Sequence, residues 1–115
     1  MTDKELLELA AKAAGIEVVW LESSYYGPTM ARVEVKNGEG EITEPWNPLE
    51  DDGDALRLAV KLELTIGKPF EHKIALVWLD DITSFAGSSE KEGGIYAATR
   101  RAIVRAAAEI GKGMP

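Results

Sequence analysis

The stretch Trp46 to Leu62, WNPLEDDGDALRLAVKL, decides how the chain divides, because it turns from proline and acids into an amphipathic pattern. In Asn47-Pro48-Leu49-Glu50 the asparagine can cap a helix, the proline can take the first helical position and the glutamate can reach back. Asp52 or Asp54 would cap a later start equally well. Ala55, Leu58, Ala59 and Leu62 then recur at helical spacing, with Leu56 and Val60 widening the stripe. The carboxylates of Glu50, Asp51, Asp52 and Asp54 fit the first turn of this helix, where the helix dipole favours each negative charge by roughly 0.3 to 1 kcal/mol. Clustered carboxylates beside Gly53 also suit a hard cation, but the alternating acid pattern and the bidentate glutamate of a calcium loop are missing. The stretch is therefore expected to start a helix and to present a contact surface, with no metal and no cofactor.

Upstream, Thr2-Asp3-Lys4-Glu5 has capping-box spacing, and Leu6, Leu9, Ala10, Ala13 and Ala14 continue a helix that Gly15 can stop. Ile16 to Leu21 is apolar and β-branched apart from Glu17. Turn residues fill Ser23 to Pro28, and Thr29 to Lys36 alternates Ala31, Val33 and Val35 with Arg32 and Glu34, so a hairpin is predicted. Asn37-Gly38 is a strong turn signal and suggests a brief edge strand over Gly40 to Thr43.

Downstream, Leu64 to Ile66, a Gly67-Lys68-Pro69 turn and Phe70 to Leu79 read as a second hairpin. The run Ile74 to Leu79 is apolar enough to be a central strand with no wet face. Asp80 to Gly94, rich in Gly, Ser and acids, reads as a polar loop and the most mobile internal segment. From Ile95 to Ile110 an alanine-rich helix is predicted, with Gly111 as its stop. The order α-β-β-α-β-β-α gives an α+β fold: a single-domain sandwich over residues 1–115, with an antiparallel sheet covered by helices.

The 115 residues suffice for one core, and 45% apolar with 29% charged residues is ordinary for a globular protein. With 0 Cys, disulfides and thiol catalysis are excluded. The start of the chain is unlike a secretory signal, and no apolar run approaches the ~18 residues of a membrane span. The net charge of −7 opposes binding to phosphate backbones. From Lys36 to Arg57 every intervening charge is negative: Glu39, Glu41, Glu44, Glu50, Asp51, Asp52 and Asp54. These acids, with Tyr25, Tyr26 and a partly exposed Trp46 between two prolines, form the expected partner-binding set. His72, the only histidine, is expected in a strand, and the serines lack a nucleophile-elbow context. Arg100, Arg101 and Arg105 form the one basic stripe. They read as an exposed face balancing neighbouring acids, or as an alternative grip for a phosphorylated ligand.

At Trp46-Asn47-Pro48, Asp54-Ala55 and Ala97-Ala98-Thr99-Arg100-Arg101-Ala102 the chain resembles small phage proteins of the ABA-sandwich domain family, and it is more weakly similar to NinX-type phage proteins. The resemblance runs from about Trp46 to Ile110 and offers no catalytic residue to transfer. It implies a virus-encoded accessory protein in the cytoplasm of an infected bacterium. Two functions are then expected in order: a non-enzymatic, anti-CRISPR-like inhibitor whose acids occupy a basic surface of a host defence protein, or a small-ligand binder acting as a sponge for a phosphorylated nucleotide signal. No direct nucleic-acid binding and no membrane association is expected.

Overall fold

Helix α1 (Asp3–Ala14) begins where the Thr2/Glu5 pair predicts. The computed structural model describes residues 1–22, 29–36 and 39–115. Thr2 Oγ1 accepts from the Glu5 N–H at 3.2 Å and donates to its Oε1 at 3.1 Å. At the other end Gly15 takes a left-handed φ of 67° and its N–H reaches back into the last turn, as a glycine stop requires.

The buried face of α1, Leu6, Leu7, Ala10, Ala11 and Ala14, lies on α4 (Ile95–Lys112), the longest helix. Asp3 meets Arg101, Leu9 approaches Gly111 and Lys12 meets the Met114 carbonyl, so the two helices run in the same direction. Ala98, Ala102, Ala106 and Ala107 are fully buried. Their small side chains bring neighbouring backbones close. Gly111 does not stop α4; it lies inside the helix, buried, where a Cβ would overlap the Leu9 carbonyl.

The first sheet joins β1 (Val18–Leu21), β2 (Thr29–Lys36) and β3 (Glu39–Pro45) in that order, all antiparallel. Ala31 opposes Pro45 while Val33 opposes Ile42, so β3 carries one extra residue, a bulge next to Glu44. Trp20 and Met30 join the core, and the Trp20 Nε1–H donates to Glu8 of α1 at 3.0 Å. The turn expected at Asn37-Gly38 lies outside the described residues; the return strand runs to Pro45, longer than expected.

Helix α2 (Asp52–Lys61) leads to the second antiparallel sheet, β4 (Thr65–Ile66), β5 (Ile74–Trp78) and β6 (Ser84–Ser88), in the order β4-β5-β6. β5 is central in it, as its apolar run predicts. Ala75 and Val77 are buried, whereas Leu76 and Trp78 are half-buried and Ile74 is exposed, so only one face is fully covered. The chain between Asp80 and Gly94 is not a plain loop. It holds β6, paired with β5 throughout, and the short helix α3 (Ser89–Glu92). Gly87 explains the fit, because a Cβ there would overlap the Ala98 carbonyl of α4. His72 is in the turn before β5, exposed, with a φ of 56°, and not in a strand.

Among the described residues, four helices and two three-stranded sheets thus make one α+β sandwich of 47 × 33 × 23 Å, ordered α-β-β-β-α-β-β-β-α-α. Among the described residues no helix is long and apolar enough to cross a membrane.

Candidate functional site

Pro45 ends β3, and the next N–H, that of Trp46, donates to the Met30 carbonyl at 2.9 Å. This turns the Trp46 ring inward, where it is 3% exposed. The expectation of a partly exposed anchor at Trp46 is therefore corrected: the flanking prolines shape the turn, and the indole packs in the core. Asn47 does not cap the helix. Its Oδ1 accepts from the Leu49 N–H at 3.0 Å and its carbonyl from Glu50 and Asp51, closing a turn over the buried Pro48. The cap is Asp51, whose Oδ2 accepts from the Asp54 N–H at 2.7 Å.

Asp54 is the buried member of the acidic run, 9% exposed. Its carboxylate accepts from the Asn47 N–H at 3.0 Å and from Arg57 Nη2 at 2.9 Å, tying the turn to the first coil of α2. The same bond, followed by the nearby acids, raises the Arg57 pKa further above its usual value. Asp54 is a staple and not a contact residue. Asp52 also leaves the set, because it turns to the other side of α2 and pairs with Arg100 at 2.7 Å.

What remains is an open cleft of about 490 Å³ whose rim carries Glu44, Glu50 and Asp51, with Asn47 and the Asp54–Arg57 pair lining it. Glu44 is tied to Arg32 at 3.3 Å, and Asp51 lies 3.9 Å from Arg57. Glu39 and Glu41 are exposed farther along β3 and share one face of the strand by alternation. The structure therefore joins Glu44, Glu50 and Asp51, extends them with Glu39 and Glu41, and separates off Asp52, Asp54 and Trp46. Tyr25 and Tyr26 lie outside the described residues. Among those residues no group of three or more His, Cys, Asp or Glu is placed to hold a metal ion. A ridge of exposed carboxylates can accept hydrogen bonds from lysine and arginine side chains of a partner.

The arginines of α4 are engaged within the fold. Arg100 donates to the Leu49 carbonyl at 2.9 Å as well as to Asp52. Arg101 spans Glu92 at 2.6 Å and Asp3 at 3.0 Å, and the Asp3 bond is foremost in raising its pKa. Arg105 donates to the Ala86 carbonyl at 2.8 Å. The stripe knits α1, the Asn47 turn, α2, α3 and β6 to α4, which favours the balancing-face reading over a phosphate grip. Asp80 is likewise local: its Oδ1 accepts from the Ile82 and Thr83 N–H groups, and these bonds lower its pKa.

Sequence reasoning missed one feature, an apolar groove between α2, β4 and α4. Its signal in the sequence is Leu56: the stripe of Ala55, Leu58 and Ala59 already completes the buried face of α2, and Leu56, surplus to it, is 57% exposed and lines the groove.

No family model matches the chain, nor does any curated protein or solved structure.

Proposed function

We propose that this protein is a non-enzymatic inhibitor whose acidic ridge, Glu39, Glu41, Glu44, Glu50 and Asp51, occupies a basic surface of a partner protein. The observation that carries the reading is the gathering of these exposed carboxylates along β3 and the adjoining cleft while the basic stripe of α4 is spent on internal partners. The resemblance drawn from the sequence supplies the partner class: a bacterial defence protein with a nucleic-acid-binding groove, met by a phage accessory protein in the host cytoplasm. An acidic ridge competes for such a groove by offering carboxylates where phosphates would lie. Complementary charge speeds encounter and sets orientation, with the speed falling as salt rises.

The reading is tested by affinity capture from bacterial lysate with the natural chain and with the triple variant Glu39→Lys, Glu41→Lys, Glu44→Lys. The natural chain retains a basic nucleic-acid-binding protein at low salt, nucleic acid displaces it, and the variant does not retain it. Equal retention by both chains contradicts the reading. A sponge for a phosphorylated nucleotide would instead carry a small anion through purification and lose it on reversal of Arg100, Arg101 and Arg105.

A further inference from the structure

The face of α4 that carries the second sheet touches β6 and β5, and beyond β4 the same helix touches α2. Between β4 and α2 lies a groove of about 480 Å³, with Ile66 and Gly67 on one wall, Leu56 on the other and Ile103 in the lining. Tyr96 stands at it 77% exposed, and Ile66 is 42% exposed. Apolar surface of this extent on one concave strip is what a docking site leaves open.

The backbone of β4 says what shape of occupant fits. The Gly67 N–H donates to the Leu76 carbonyl at 2.8 Å, so Gly67 and Leu76 form a hydrogen-bonded pair of the ladder. Antiparallel ladders alternate, which makes the next pair, Ile66 with Val77, non-hydrogen-bonded. The Ile66 N–H and C=O therefore point away from β5. β4 is the outer strand of its sheet, so a strand laid beside it would meet these two groups. Charge narrows the occupant further. Asp52 and Arg100 line the groove as an ion pair, and the carboxylate, 74% exposed against 19% for the guanidinium, is the member that an occupant meets.

We propose that this groove takes an extended peptide segment of a partner protein, added as a strand to β4, with a bulky apolar side chain in the groove and a lysine or arginine beside it facing Asp52. Strand addition gives affinity through main-chain hydrogen bonds and specificity through alternate side chains. The groove lies on a different part of the surface from the acidic ridge, so the two proposals fail separately.

The test selects a display library of random linear peptides on the whole protein. The strongest binder is then synthesised in two forms, unmodified and N-methylated on alternate amides, and each is titrated by NMR. The expected peptides carry a bulky apolar residue with Lys or Arg two positions away and shift the signals of Leu56, Ile66 and Tyr96. N-methylation of the donating amides weakens binding about tenfold or more, as does Leu56→Asp, an exposed change whose folding is checked by thermal melting. The triple reversal at Glu39, Glu41 and Glu44 leaves the same groove signals shifted and the N-methylation penalty the same. Failure to enrich any peptide overturns the proposal. So does binding indifferent to N-methylation, or dimerisation of the chain alone that Leu56→Asp abolishes, which would make a second copy the occupant.

Discussion

Asp54 shows how one side chain holds several turns of chain in place. Its carboxylate receives the Asn47 N–H and the Arg57 guanidinium, and its own N–H is held by Asp51. Asp54→Ala leaves the half-buried Asn47 donor without its acceptor and should lower stability by about 1 to 2 kcal/mol, read by urea unfolding. Gly111→Ala should cost a similar amount, about 1 to 3 kcal/mol, because a methyl group must push α1 and α4 apart at Leu9. Asp80 supplies a pH response. Its pKa is lowered in the fold by the Ile82 and Thr83 amides, so the turn it closes is fully held above the ordinary carboxylate range and loosens as pH falls through the depressed value. Amide exchange at Ile82 and Thr83, corrected for intrinsic rates, should quicken in acid, and Asp80→Ala should remove that pH dependence. At this scale the Thr2/Glu5 box was legible because its chemistry is local. Asn47 was not: a helix cap and an Asx turn use the same oxygen, and only the position of Trp46 in the core decides between them.

At the scale of elements, α1, α2 and α4 could be read from helical periodicity and β5 from its continuous apolar run, and β6 could not. Ser84-Phe85-Ala86-Gly87-Ser88 has turn-like composition because β6 must lie close against α4, where Gly87 meets Ala98. Tertiary contact overrides propensity there. Deleting Ser88 to Glu92, which a loop would tolerate, should therefore markedly lower the melting temperature. It removes the Ser89 N–H to Lys73 carbonyl bond and the Glu92 partner of Arg101. An unchanged melting temperature would show that α3 and the end of β6 contribute nothing to stability. The candidate site divides along the same line. The acids of Glu39 to Asp54 were visible as a run, but which of them share a surface depended on the bulge at Glu44 and on the direction in which α2 faces Asp52.

For the whole molecule the governing quantity is the net charge of −7 and its layout. The exposed acids form a ridge without cation-binding geometry among the described residues, so millimolar Ca²⁺ or Mg²⁺ should leave the melting temperature unchanged. A site filled at roughly 100 times its Kd would add about 2.7 kcal/mol and shift it visibly. The ridge is expected to act through the field it projects toward a basic partner, and that field is screened over about 10 Å at moderate salt. The most direct measurement is the association rate of the captured partner across a range of ionic strength, for the natural chain and for Glu39→Lys, Glu41→Lys, Glu44→Lys. The account predicts a rate for the natural chain that falls steeply with salt, and a slower, nearly flat one for the variant at equal thermal stability. Matching salt profiles for the two chains would contradict it.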